Sequence, residues 1–178
     1  KTAFVSHPDD VMVYRIESEN GKTFSFKAEL DCPLKNETHT SDGYLIVDGE
    51  CPGDADTQHP SYPCHSLIYY DKDKERGICF RGALKIDTDG EITEDKASLT
   101  VRKATCATIY FTIKTSFNGF DKYPAVEGRE YKNCCIEALD KACGIGFEAI
   151  KERHIADYKS YYYRASFSLG VNDDELIP

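Results

Sequence analysis

An alternation of apolar and polar side chains, typical of β-strands, runs through the first two-thirds of this 178-residue chain. Its clearest instance carries apolar residues on one side and polar residues on the other: Phe24, Phe26, Ala28 and Leu30 against Ser25, Lys27 and Glu29. Because successive side chains of a strand point to opposite faces, this pattern predicts a half-buried strand. Another strand is predicted over residues 11–16, and Asn20-Gly21 between the two favours a type I′ turn. The sequence therefore predicts a β-hairpin here.

Similar patterns predict further strands at residues 43–47, 66–70, 77–86, 98–101 and 105–115, and a short one near Ile92. The charged run 71–76 is predicted to be an exposed hairpin tip, and residues 87–90 a turn. A calcium loop is the alternative for residues 87–91, but Ile92 stands where an EF-hand requires glycine. Strands at this density predict a mostly β fold, an antiparallel β-sandwich.

The apolar period changes after Pro124 and becomes helical. Residues 130–143 predict one helix, ended by Gly144 and Gly146, and a second helix runs from Phe147 to about Tyr163. One face of the second helix is apolar and aromatic, and its members are Phe147, Ile150, His154, Tyr158 and Tyr161. We therefore divide the chain into a β-sandwich domain, residues 1–127, and a helical linker, residues 128–178.

Charge and hydropathy exclude two classes of partner. The net charge of −9 and the scattered basic residues argue against nucleic acid, which requires clustered Lys and Arg. No apolar run approaches the roughly 20 residues of a membrane span, so no membrane partner is expected. The chain begins at Lys1 without a secretory leader, and we expect a fragment or a trimmed chain.

The eight cysteines form no C-x-x-C pair and no repeated interval. We interpret them as reduced packing thiols, which predicts a cytoplasmic protein, although a secreted parent stays open. Cys134 and Cys135 must face two directions on a helix. The loop between Cys51 and Cys64 also holds His59 and His65, but an ordinary loop is preferred to a metal site there. We predict no metal and no cofactor, and the glycosylation sequon at residues 36–38 is interpreted as incidental.

No local arrangement marks a catalytic group, so no catalytic residue is assigned. Acidic pairs such as Asp9-Asp10 and Asp173-Asp174 do not by themselves place carboxyls across a cleft. His154 and Asp157 lie three residues apart and could contact each other on one helical face; a role in orienting the helix is preferred to ligand binding. The strand aromatics could form a core or a sugar platform, and the core is preferred: Tyr69, Tyr70, Tyr110 and Phe111.

Four patches, in order along the chain, resemble the N-terminal part of glycoside hydrolase family 95, the α-L-fucosidase family. They are residues 4–15, residues 77–84, residues 107–111 with 115–121, and His154-x-x-Asp157-Tyr158 followed by Arg164 and Leu169-Gly170. Tyr161-Tyr162 and Ala165 depart from the Leu-Phe and Val of the family pattern. These are hydrophobic exchanges that preserve packing.

The resemblance implies a supersandwich-like β-sandwich, with its earliest strands missing before Lys1, and a helical linker to an absent (α/α)6 catalytic barrel. In the family that barrel carries the catalytic acid and the groups that activate water. This chain is therefore expected to be a non-catalytic domain of a glycosidase that hydrolyses fucosylated oligosaccharides with inversion. Its implied partners are the downstream barrel and the oligosaccharide substrate. The candidate domain-interface residues are Asn118, Phe120, Asp121, His154, Asp157, Tyr158 and Arg164.

Two other classes of function stay open. A free-standing carbohydrate-binding module would bind glycans through exposed strand aromatics, although it does not need a helical tail. A disulfide-built extracellular interaction domain would require most of the cysteines to be oxidised.

Overall fold

The computed structural model describes residues 1–55 and 67–167. In this part of the chain the strands are β1 (Thr2–Ser6), β2 (Val11–Glu17), β3 (Phe24–Ala28), β4 (Lys35–Ser41), β5 (Tyr44–Glu50), β6 (Asp54–Ala55), β7 (Leu67–Ile68), β8 (Cys79–Thr88), β9 (Glu91–Asp95), β10 (Ser98–Ala104) and β11 (Cys106–Thr115). Two helices come after them, α1 (Lys132–Ile145) and α2 (Phe147–Tyr162).

The strands form a large and a small antiparallel sheet. The large sheet has the order β1-β2-β11-β8-β5-β4, the small sheet has the order β3-β10-β9, and β6 pairs with β7 separately. The two sheets meet through a buried apolar cluster: Leu45, Leu84 and Ile86 from the large sheet, and Leu99, Val101 and Ala104 from the small one. The predicted mostly β antiparallel sandwich is confirmed.

The two helices cover the opposite face of the large sheet. Their buried residues Leu139, Phe147 and Ile150 belong to one cluster with Val13 and Tyr110 of the central strands. Because the middle of the large sheet is covered on both faces, β5 opens with four consecutive buried residues rather than an alternation.

The hairpin predicted around Asn20-Gly21 is wrong. β2 pairs with β1 and β11 in the large sheet, whereas β3 pairs with β10 in the small sheet. Of the two turn residues only Gly21 has a positive φ, at 63°, and a type I′ turn needs both. The chain between these strands crosses from one sheet to the other, so the pairing of each sheet overrides the local turn signal.

A second predicted hairpin tip, at residues 71–76, is also wrong. β7 pairs with β6, and β8 pairs with β5 and β11, so this run connects two sheets. Its last residue, Arg76, is held by Glu50 rather than extended into solvent. The strand β4 was not predicted, because an edge strand of polar residues shows no alternation.

Both predicted helices are present within two residues of their predicted bounds. Gly146 has a φ of 83° and donates its N–H to the carbonyl of Ala142, which ends α1 as expected of a C-terminal glycine. Gly144 lies inside α1 instead of capping it. No helix in the described residues is long and apolar enough to cross a bilayer.

Candidate functional site

One end of the large sheet gathers the turn between β1 and β2, the end of β11 and the second half of α2. Asp10 in that turn forms an ion pair with Lys114 near the end of β11. In the same turn, Nδ1 of His7 lies 3.3 Å from Oδ2 of Asp157 on α2. The loop of residues 116–131 leaves β11 at this same end. We call this surface the linker end.

The β1–β2 turn anchors α2 through a buried carboxylate. The side chain of Asp9 is 2% exposed, and its Oδ2 accepts a 2.6 Å hydrogen bond from Ser6. Nη2 of Arg153 lies 3.1 Å from the other oxygen, at ion-pair distance but without hydrogen-bond geometry. A buried carboxylate is costly unless a positive group compensates it, so Arg153 ties the helix to the turn.

Aromatic contacts extend this anchor along the first half of α2. The ring of His154 stacks on Phe4 with centroids 4.9 Å apart and planes inclined by 22°. The guanidinium of Arg15 lies 4.7 Å from the centroid of Phe147. His154 and Asp157 therefore contact β1 and the β1–β2 turn respectively, rather than each other, and their role in orienting the helix stays a prediction.

The tyrosine side chains in the second half of α2 are not buried against the sandwich. On its predicted apolar face Phe147 and Ile150 are buried, but Tyr158 is 55% and Tyr161 59% exposed. Tyr158 stacks on Tyr162 with centroids 5.4 Å apart, and the ring of Tyr162 meets Tyr163 edge-on. Beyond the helix, the guanidinium of Arg164 lies 5.9 Å from the centroid of Tyr161. The last turns of α2 therefore form an exposed aromatic surface.

The loop after β11 supplies the other candidate interface residues. Asn118 donates a 2.8 Å hydrogen bond from its side chain to the carbonyl of Glu127, which closes the loop on itself. The ring of Phe120 is 98% exposed, and Asp121 lies beside Lys122 at the surface. The loop and α2 candidates therefore share one end of the large sheet, although they form two separate clusters there.

Sequence reasoning missed four residues of the anchor: Ser6, His7, Asp9 and Arg153. In the sequence, residues 6–9 fall within a patch of family resemblance, and Asp9 also stands in an acidic pair, but neither feature indicates a turn that binds a distant helix. The pairing of His7 with Asp157 spans 150 positions, and no local pattern reports such a contact. The run Pro8-Asp9-Asp10, which is typical of a turn, is the signal that could have separated β1 from β2.

A cleft of about 380 Å³ near the start of α1 contains two carboxylates on one face of β5. Arg81 binds Asp48 through two hydrogen bonds of 2.8 and 2.6 Å, and Arg76 binds Glu50 through two of 3.0 Å. Burial opposes the ionisation of Asp48, but the bonds from Arg81 outweigh it and lower its pKa. The bonds from Arg76 lower the pKa of Glu50 as well.

Both carboxylates therefore stay ionised near neutral pH. A general acid must hold a proton at the working pH, and neither group does so. This cleft is an ion-pair network that ties β5 to β8 and to the segment before it, and its chemistry does not suit acid catalysis.

The remaining candidates from the sequence lie apart from the linker end. Tyr110 is 1% exposed and Phe111, Tyr69 and Tyr70 are partly buried, which supports packing over a sugar platform on the strands. Seven cysteines in the described residues carry free thiols. Within residues 1–55 and 67–167 no cluster of three metal-ligating side chains occurs. Several predictions fall outside the described residues: Cys64, His59, His65, Leu169-Gly170 and Asp173-Asp174.

Taken together, these features define the class of the protein: a two-sheet antiparallel β-domain followed by a helical segment. Residues 1–119 match the family model described as the N-terminal domain of glycosyl hydrolase family 65, and the chain belongs to that family. It is also similar to Alpha-L-fucosidase 2 of Arabidopsis thaliana, with 23% identity over 181 residues. That alignment covers 98% of this chain but 21% of the relative, so the chain spans about a fifth of that protein.

The N-terminal glycoside hydrolase domain implied by the family resemblance is thereby confirmed. The matching family model carries the number 65 rather than 95.

Proposed function

We propose that this chain is a non-catalytic N-terminal domain that braces the catalytic domain of an α-L-fucosidase-like glycoside hydrolase of family 95. Family membership and the distant similarity to Alpha-L-fucosidase 2 support the class of enzyme. The linker end supports the bracing role, since it carries aromatic side chains that are exposed rather than packed against the sandwich. The proposed parent enzyme is cytoplasmic, has reduced cysteines and acts on fucosylated oligosaccharides.

One observation carries the proposal: α2 is anchored on the sandwich by contacts from Phe147 to Asp157, whereas Tyr158, Tyr161 and Tyr162 in its last turns are exposed. A helix with an apolar face gains most of its stability from packing, so an exposed aromatic face at a chain junction favours a neighbour that covers it. The exposed ring of Phe120 adds apolar area at the same end of the sheet. The proposed neighbour is the downstream (α/α)6 barrel, which would hold the catalytic acid and the water-activating groups.

In the proposed parent enzyme, inversion requires an acid and a water-activating group roughly 6.5–9.5 Å apart. In the proposal this domain supplies neither group. The arginines keep Asp48 and Glu50 ionised, so neither carboxyl can act as the acid. The same arginine hydrogen bonds occupy the carboxylate oxygens and lower their pKa, which makes both groups weak bases for activating water. Its contribution is to fix the direction in which α2 leaves the sandwich. The Asp9–Arg153 and His7–Asp157 contacts set that direction.

The substitution Phe120→Ser, made in the full-length parent enzyme, tests this proposal. If the ring is buried against the catalytic domain, its loss should weaken the contact by about 1.5–3 kcal/mol and lower the thermal midpoint of the whole enzyme. Fucose release from 2′-fucosyllactose, followed by anomer-resolved proton NMR, should fall in the variant. Retention of configuration in the wild-type product would contradict the inverting mechanism.

Ile92→Ser is the matched control, because Ile92 is an exposed apolar residue on β9, at the edge of the small sheet. It should leave both the thermal midpoint and the rate of fucose release close to wild type. Equal behaviour of the two variants would remove the support for a contact at the linker end.

A free-standing carbohydrate-binding module acting through strand aromatics is not favoured, because Tyr110 is buried and its strand neighbours are partly covered.

A further inference from the structure

A pocket of about 550 Å³ opens between β1 and the second half of α2, at the border of the linker end. Val5 and His7 line it from the strand side, and Asp157, Tyr158 and Tyr162 line it from the helix. Its volume lies in the range of small-molecule pockets, which run from roughly 300 to 1,000 Å³. The arrangement of these side chains decides what kind of ligand fits.

The pocket combines an aromatic wall with a polar pair. Tyr158 and Tyr162 lie with planes inclined by 22°, and their side chains are 55% and 60% exposed. Beside them Asp157 and His7 meet at 3.3 Å, with side chains 29% and 80% exposed. A carboxylate offers about four acceptor positions, so its contact with His7 leaves others free for a ligand.

This lining disfavours a purely hydrocarbon occupant. An apolar helix lying in the pocket would remove the carboxylate, the imidazole and the phenol groups from water without replacing their hydrogen bonds, which is costly. A sugar ring presents apolar C–H faces that can lie against an aromatic ring, and a rim of hydroxyls that can donate to a carboxylate. The negative charge of Asp157 disfavours an anionic ligand.

We propose that this pocket binds a short neutral saccharide, with one sugar ring against Tyr158 and Tyr162 and its hydroxyls bonded to Asp157 and His7. This proposal rests on the proposed function for its ligand class, because a glycoside hydrolase meets oligosaccharides. Ligand pockets occur preferentially at domain borders, and the tyrosines of this pocket belong to the surface proposed to meet the catalytic domain, so the saccharide would lie at the border of the two domains. The N-terminal domain then holds part of the substrate away from the bond that is broken.

Calorimetric titration of the 178-residue chain with 2′-fucosyllactose, and separately with lactose, tests the proposal. The expected result is saturable binding at millimolar concentrations, weakened about tenfold or more by the double change Tyr158→Ala and Tyr162→Ala. Both rings are exposed and lie outside the buried clusters, so circular dichroism should show an unchanged fold. Tighter binding of 2′-fucosyllactose than of lactose would show that the fucosyl residue occupies the pocket.

Tyr123→Ala is the matched control, since it removes an exposed tyrosine from a different element and should bind both sugars as the wild type does. Absence of binding by the wild-type chain would overturn the proposal, and so would binding that the double variant leaves unchanged. Neither result affects the bracing role, which the hydrolysis assay of the full-length protein decides separately.

Discussion

At the scale of single residues, ion pairs hold the buried carboxylates of the large sheet. Glu50 is nearly buried, and it is held by two hydrogen bonds from Arg76 and by Lys35 at 3.7 Å. Removing one partner of a buried ion pair strongly destabilises the fold, because the other charge is left buried without a partner. Glu50 is therefore the side chain at which a single change tests the ion-pair network of the cleft.

Glu50→Gln should lower the free energy of unfolding by about 1–3 kcal/mol at neutral pH. Arg76 lowers the pKa of Glu50 in the folded protein. The ionised Glu50 therefore contributes its full stabilisation of the fold above the pKa of Glu in the unfolded chain, about 4.3. That contribution is lost as the pH falls through the lower pKa of the folded state. Urea unfolding at several pH values should show a shallower acid loss in the variant than in the wild type.

Glu29→Gln is the control for that experiment. Glu29 pairs with Lys27 at 2.7 Å, but both side chains are more than half exposed, so water screens the pair. The change should leave the unfolding curve close to wild type. Equal effects of the two substitutions would contradict the importance of the buried pair.

The adjacent cysteines at the start of α1 should differ sharply in reactivity. Cys135 is buried against the large sheet, and burial raises the pKa of its thiol to about 11, whereas Cys134 is exposed. Because the thiolate is the reactive form, brief alkylation near about pH 8 should modify Cys134 and spare Cys135 until the protein unfolds. Intact-mass analysis of Cys134→Ser and Cys135→Ser separates the two, and rapid labelling at Cys135 would contradict this packing.

The opposite orientation of these two cysteines was predictable from the sequence, because neighbouring residues on a helix point about 100° apart. The Asp9–Arg153 anchor was not predictable, since its partners are 144 positions apart and each belongs to a charged residue type that is usually solvated. Local patterns identify which residues alternate, but they do not report which distant charges meet.

Among the elements, α2 is the one whose burial changes most along its length. Its buried side chains Phe147 and Ile150 fall in the first turns, His154 and Asp157 in the middle contact β1 and the β1–β2 turn, and the tyrosines of the last turns are exposed. The orientation of α2 relative to the large sheet therefore depends on how well its first turns are packed. The packing of its first turns can be tested separately from its exposed turns.

Ile150→Ala should destabilise the domain by about 2–4 kcal/mol, because Ile150 is fully buried between α2 and the large sheet. Ile155→Ala removes the same atoms from a side chain that is 39% exposed, so its effect should stay under about 1 kcal/mol. Hydrogen exchange of the α2 amides should accelerate in the first variant and change little in the second. A larger effect at Ile155 would mean that the helix is docked by the other face.

The elements also show how far sequence patterns reach. Strands with clear alternation and both helices were predicted near their observed positions, since their burial repeats along the chain. The pairing of β2 with β11 rather than with β3 was not predictable, because it depends on which sheet each strand joins. The polar edge strand β4 was missed because its hydrogen bonds, rather than its side chains, hold it in the sheet.

At the scale of the whole molecule, the sandwich is covered on both faces of its large sheet while its linker end is open. The covered faces account for a stable domain, and the open end carries Phe120 and the tyrosines of α2. The candidate interface residues from the sequence lie at this end. The family resemblance, and not any local motif, pointed to a glycoside hydrolase.

The most direct measurement compares fucose release from 2′-fucosyllactose by the 178-residue chain and by the longer protein proposed to contain it, at equal molar concentration. We expect turnover by the longer protein and none by the 178-residue chain, even after prolonged incubation. Turnover by the 178-residue chain that survives purification to homogeneity would contradict the claim that this domain braces a catalytic neighbour rather than breaking the bond itself.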